Sequence, residues 1–230
     1  MKGLIDIPRS SLGCKFLMGV TGFLLMVFVF GHMTGNLLIF LGPDAINEYG
    51  EFLQGAGHGL LIWAARLGLL AIFITHLAMA LLLRKRNKEA RPVPYDGDTT
   101  LVASWVSRHM MLSGLVILAF VLYHLAHFTV GITDSANFKM NLLRDAMNRP
   151  DIYTMVVRGF QQPMISAIYM FAQLILGLHL YHGAGSWIQS LGLARGWVRN
   201  WLDPIGWAVL LLVFLGNCSI PFSILAGWVK

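Results

Sequence analysis

Charge is what this 230-residue chain has least of: Asp, Glu, Lys and Arg together make up 12% of it. A soluble domain carries about a quarter, so most of this chain cannot present an ordinary water-facing surface. Five long stretches lack charge altogether: Phe16–Leu41, Leu67–Leu83, Met110–Thr133, Gly159–Ala194 and Ile205–Val229. Cysteine is almost as scarce. Cys14 precedes the first apolar stretch and Cys218 lies late in the last, so reach alone excludes a disulfide framework. No C-x-x-C-H string occurs, which excludes covalently attached haem. The N-terminal string MKGLIDIPRSSLGCK is not expected to be a signal peptide. The apolar run after Lys15 is longer than an h-region of about 7–15 residues, and no small-residue cleavage site follows it. Low-complexity segments and a convincing internal repeat are also missing, and nothing suggests nucleic acid.

What remains is 57% hydrophobic. A membrane-spanning helix needs roughly 20 mostly apolar residues, and all five stretches qualify. The expected fold is all-α: a single membrane domain, residues 1–230, with five transmembrane helices at about 16–40, 60–83, 109–129, 162–187 and 205–228. Pro163 falls in the first turn of the fourth, where a missing N–H costs little. A short helix over Ala45–Leu53 is expected in the loop 42-GPDAINEYGEFLQGAGHG-59. The segments Gly131–Arg158 and 188-IQSLGLARGWVRNWLDP-204 read as loops, with Trp197 and Trp201 suited to the membrane interface.

Lysine and arginine set the expected orientation. With the N-terminus in the cytoplasm, the inner segments hold Lys2, Arg9, Lys15, Arg84, Lys85, Arg86, Lys88, Arg91, Arg108, Arg195 and Arg199. The outer segments hold only Arg66, Lys139, Arg144, Arg149, Arg158 and Lys230, so the C-terminus is expected outside. The net charge of +6 is mostly this inner bias. It suits anionic lipid headgroups or an acidic soluble partner on that face.

Histidines carry the chemistry. Intramembrane ionisable groups are rare, expensive and usually functional. Of the eight histidines, His32, His76, His124 and His179 fall inside four different spans. At about 1.5 Å rise per residue, His32 and His124 lie roughly 24 and 21 Å from the inner surface, and His76 and His179 roughly 10 and 12 Å. They therefore form two depth pairs, an outer one (His32, His124) and an inner one (His76, His179). Two neutral imidazoles facing each other across a bundle are suited to hold a planar iron porphyrin from both sides. Two such pairs give two b-type haems stacked across the bilayer, able to carry electrons between its faces. Gly31, Gly35, Gly114, Gly177 and Gly183 either leave room for a flat macrocycle or permit close helix packing. His124 with His127, and His179 with His182, are i, i+3 pairs on one helix face. A di-iron chelate there would lack carboxylate ligands, so one histidine of each pair is expected to ligate and the other to hydrogen-bond a propionate or a quinone.

With one histidine on each of four helices in this order, the chain resembles the five-helix, di-haem cytochrome b subunit of succinate:quinone oxidoreductases, which include succinate dehydrogenases and fumarate reductases. The supporting strings are 21-TG…GHMTGN-36, THLAMA around His76, 97-GDTTL-101, 113-SGLVILAFVLYHLAHF-128 and 177-GLHLYHGAGSWIQSLG-192. The likeness covers roughly Lys15 to Gly192 and is weak in the last helix. It implies His32 and His124 as ligands to an outer haem iron, and His76 and His179 as ligands to an inner one. A flavoprotein with FAD and an iron–sulfur protein with its clusters are implied on the cytoplasmic face of the inner cell membrane. Dimers of heterotrimers and a membrane quinone, menaquinone by expectation, are implied as well. A quinone-site glutamate of some relatives aligns with Gln54, which cannot take a proton, so Glu51 or His58 is the substitute candidate. Arg66 and Arg158 are candidates to pair with outer haem propionates, and Lys15, Arg108 and Ser186 with inner ones. His127 and His182 are haem-pocket candidates. Two other readings compete: a cytochrome b of another quinone-linked complex, such as a hydrogenase or formate dehydrogenase, and a haem-free membrane anchor with histidines as proton relays.

Overall fold

The computed structural model describes residues 9–90, 104–135 and 144–230. The string 97-GDTTL-101 and residues Lys2, Arg91 and Lys139 lie outside the described residues. Eight α-helices are described: α1 (Ser11–Leu37), α2 (Pro43–Gly55), α3 (Leu60–Glu89), α4 (Trp105–Arg108), α5 (Met110–Leu125), α6 (Ile152–Phe160), α7 (Pro163–Ser190) and α8 (Val198–Leu225). Five of them, α1, α3, α5, α7 and α8, are long and apolar enough to cross a membrane. No β-strand occurs among the described residues beyond an isolated bridge between Arg144 and Pro150. The chain is an all-α, multi-pass membrane protein.

Local chemistry sets the helix ends. Ser10 caps α1 by accepting from the Gly13 N–H at 2.9 Å, and Asp151 caps α6 through the Thr154 N–H at 3.1 Å. These side chains satisfy N–H groups that have no partner within the first turn. Before α3, Gly57, His58 and Gly59 all take left-handed backbone, with φ of 60, 55 and 83°. His58 is the costly member, because a side chain disfavours that region.

Three boundaries differ from expectation, and a helix is added. Helix α1 starts at Ser11, α3 runs on to Glu89 through the basic tract, and α8 begins at Val198 and continues through Pro204. Helix α6, which carries Arg158, occupies the end of what reads as a loop. Arg158 therefore stands on its own short helix and not at the end of the fourth span.

Packing runs in an arc, α3 on α1, α1 on α7, α7 on α5, with α8 against α7 and α1. Among the described residues, α3 and α5 share no packed interface, so they form the two ends of the arc. Small residues let the backbones approach, as helix association in lipid requires. A Cβ on Gly206 of α8 would come within 2.7 Å of the Tyr181 carbonyl oxygen of α7, and one on Gly177 of α7 within 3.2 Å of Leu210 of α8. On the membrane side that bears the N-terminus, Arg86 of α3 donates to the Cys14 Sγ of α1 at 3.2 Å. On the opposite, C-terminal side, α2 and α6 lie together over the ends of the long helices, and Tyr153 donates to the Lys230 carbonyl at 3.0 Å.

Candidate haem-ligand sites

All four expected ligands point into the arc, and each helix of the arc supplies one. His32 of α1 and His124 of α5 meet with ring centroids 5.8 Å apart and planes at 82°. His76 of α3 and His179 of α7 are within electrostatic reach of one another, with His182 close to His179. The pairs are therefore the two that depth predicts. Each joins helices that face across the arc and do not pack on each other.

In the second pair each imidazole meets a hydroxyl through Nδ1. Thr21 Oγ1 lies 3.3 Å from His76 Nδ1, and Ser113 Oγ lies 3.0 Å from His179 Nδ1. A hydroxyl has one proton to donate and two lone pairs. Thr21 already donates to the Leu17 carbonyl at 2.7 Å, and Ser113 to the Met110 carbonyl at 3.0 Å. With the hydroxyl protons on those carbonyls, each hydroxyl oxygen is placed to accept from an imidazole protonated at Nδ1. With Nδ1 protonated, Nε2 keeps its lone pair, which is the state a metal needs.

The first pair is built differently. Tyr169 of α7 sets its hydroxyl 2.9 Å from His127 Nδ1 and 3.4 Å from His124 Nδ1. One hydroxyl proton cannot serve both rings, so at least one of them donates its Nδ1–H to Tyr169. If it donates along the shorter contact to His127, it accepts from His124, whose Nε2 is then left for a metal as in the second pair. His32 stacks on Phe28 at 5.5 Å. A π-helical turn, Ala126–Val130, follows α5 and swings His127 into the core, where it is completely buried among Tyr123, Phe128 and Tyr169. His127 thus backs the site instead of facing it.

The glycines divide between the two expected roles. A Cβ on Gly35 would strike the Tyr49 ring at 2.6 Å, and Gly177 packs on α8, so these two serve helix packing. Gly31, beside His32, and Gly183, one turn from His179, have nothing within 4 Å of a built Cβ and open onto free space. Gly114 lies under the His179 ring, 3.7 Å from Cε1. Gly22, which sequence reasoning left unassigned, lies under His76 at 3.1 Å.

The remaining candidates are scattered. His182 and Ser186 continue the His179 face of α7 toward the N-terminal side, at i+3 and i+7. Lys15 and Arg108 are exposed on that side. Arg66 lies over the Trp63 ring at 5.1 Å, and Arg158, Glu51 and His58 are exposed on the C-terminal side. None of these six is brought against a ring pair by a described contact. Sequence reasoning missed Thr21, Ser113 and Tyr169 as partners of the histidines. The available signal was a hydroxyl inside an apolar span, eleven residues before His32 in α1 and eleven before His124 in α5.

Among the described residues no group of three or more His, Cys, Asp or Glu could hold a metal ion. The donor set is imidazole pairs, and these fit a planar metal chelate that needs only axial ligands: neutral rings, free Nε2 lone pairs and space beside Gly31 and Gly183. The chain matches no protein-family model, no curated protein and no solved structure.

Proposed function

We propose that this chain is a membrane cytochrome b that holds two haems, one between His32 and His124 and one between His76 and His179. Within that class we read it as the anchor subunit of a succinate:quinone oxidoreductase. In that role it links a membrane quinone, menaquinone by expectation, to a flavoprotein and iron–sulfur pair that interconverts succinate and fumarate. One observation carries the reading: His76 and His179, from different helices of the arc, each set Nδ1 within 3.3 Å of a hydroxyl that also bonds a carbonyl of its own helix.

Bound haem supplies one-electron transfer at each level. The chain's own residues would orient the imidazoles through Thr21, Ser113 and Tyr169 and hold them within an apolar bundle. The N-terminal side is the cytoplasmic one in this reading. Its basic end of α3, Arg84 to Lys88, and Arg195 and Arg199 at the α7–α8 turn support docking of an acidic soluble partner. Quinone then meets the C-terminal side near α2, where Glu51 or His58 takes the proton.

A reduced-minus-oxidised spectrum of the purified protein tests this. Two bis-histidine haems per chain are expected. His32→Ala or His124→Ala removes one of them, His76→Ala or His179→Ala removes the other, and His182→Ala removes neither. A colourless protein overturns the reading. Co-purification with a hydrogenase or formate dehydrogenase in place of a flavoprotein overturns the choice of complex and leaves the class intact.

A further inference from the structure

Thr21–Gly22 on α1 and Ser113–Gly114 on α5 are two copies of one device. We propose that they are positioning residues which fix the ring orientation and the electron-donating strength of His76 and His179 at their shared iron; this rests on the haem reading above. In each copy the hydroxyl oxygen lies beside Nδ1 of a histidine from the next membrane span, at 3.3 Å for Thr21 and 3.0 Å for Ser113, and with its own proton on a carbonyl of its helix it is placed to accept Nδ1–H. In each the following glycine admits the edge of that ring, with built Cβ to Cε1 distances of 3.1 and 3.7 Å. Eleven residues further on, each of the two helices carries a ligand of the other pair, His32 in α1 and His124 in α5. Eleven residues are about three turns and 16 Å of rise, so hydroxyl and histidine share one helix face.

The chain is thus built from two equivalent helix pairs, α1 with α3 and α5 with α7. Each pair contributes one imidazole to either level and one hydroxyl–glycine bracket. Different connecting lengths hide this repeat: His32 to His76 is 44 residues, and His124 to His179 is 55.

A hydrogen bond at Nδ1 raises the basicity of the ligating ring, and a more basic axial ligand favours ferric over ferrous iron. Removing the hydroxyl lowers that preference, so the potential of the iron held by His76 and His179 rises. The two brackets are not equal. Ser113 Oγ stands closer to its ring, at 3.0 Å against 3.3 Å for Thr21 Oγ1, so Ser113→Ala is expected to act more strongly than Thr21→Val. The glycines reverse that order. Gly22→Ala displaces a ring at 3.1 Å, while Gly114→Ala only touches one at 3.7 Å.

The test is a redox titration of the haem absorbance, with low-temperature EPR of the ferric state, on the full chain carrying Ser113→Ala, Thr21→Val or both. In Ser113→Ala both haems are retained and one midpoint potential rises. A tenfold loss of ferric preference corresponds to about 59 mV for a one-electron couple. The EPR anisotropy of that haem changes, the other haem stays put, and Ser113→Thr restores the wild-type values. Loss of one haem in Ser113→Ala with restoration in Ser113→Thr also supports the assignment. Unmoved potentials and EPR in the double variant overturn it and leave the haem reading standing, as does a loss that Ser113→Thr fails to restore. A wild-type chain without haem absorbance overturns both.

Discussion

A buried imidazole is defined by what its two nitrogens do, and the hydroxyl groups settle this more sharply than the ring positions. His124 and His127 are equivalent in the sequence, three residues apart on one helix. The π-helical turn separates them: His124 stays in the arc facing His32, and His127 is driven behind it onto Tyr169. His127→Ala is therefore expected to leave two haems per chain while lowering stability by about 1–3 kcal/mol, the cost of leaving the buried Tyr169 hydroxyl short of a partner. Haem stoichiometry together with thermal unfolding in detergent checks this; loss of a haem would make His127 a ligand. The four ring positions were legible in the sequence, because an ionisable group in an apolar span stands out. The hydroxyls were not. A serine or threonine inside a transmembrane helix satisfies itself on its own backbone, as Thr21 and Ser113 do, so nothing in composition marks the second interaction.

At the scale of the helices, the glycines separate packing from binding. Gly206 lies against the Tyr181 backbone, which cannot retreat as a side chain can. Gly206→Ala is expected to loosen the α7–α8 pair at a cost of about 1–3 kcal/mol, measured as a lower midpoint of thermal unfolding. Gly183→Leu is the converse case. The fold accepts it, because nothing lies within 4 Å of the new Cβ. The added side chain fills the space next to His179, so the haem between His76 and His179 is expected to be lost from a chain that remains folded and monodisperse. Equal haem content in Gly183→Leu and wild type would mean that this space is not used.

The five spans themselves were readable, since an uncharged run of bilayer length leaves a helix no face to turn toward water. Their ends were not, and the reason is specific. Arg84 to Lys88 continue α3 because long basic side chains reach water from a helix that extends past the apolar core. Asp203 sits inside α8 because the Tyr181 hydroxyl of α7 donates to it. Helix α6 escaped notice because it is short and amphipathic and has no run long enough to stand out.

For the molecule as a whole, the C-terminal side is held by a polar clasp between α2 and the approach to α6. Asn47, fully buried, accepts from the Tyr153 N–H at 3.0 Å and donates to Asp145 and Asp151. Arg149 bridges Asp44 at 2.5 Å and Asp145 at 2.7 Å. Burial pushes the Asp145 carboxyl up, but hydrogen bonds from the Arg149 backbone and side chain, the Met147 N–H and Asn47 outweigh it and leave the group below its usual 3.8. Arg149 is held above its usual value, first by Asp44 and then by Asp145. The folded state therefore binds the Asp145 proton less readily than the unfolded one. Its contribution is complete above the ordinary carboxylate range and is lost as the pH falls below 3.8 through the folded value. Hydrogen exchange at pH 7 and pH 3 is expected to show α2 and α6 losing protection at the lower pH while α7 and α8 keep theirs. In Asp145→Asn the clasp is weakened already at pH 7.

The open arc also dictates an order of events during synthesis. Helix α3 finds α1 as soon as it leaves the ribosome's exit path, but the long helix on which α5 packs is α7, which follows it. Between those two moments α5 lacks the long helix that it packs on. A pause or truncation there leaves α5 without its main packing partner, and His124 is not held opposite His32 until α7 arrives.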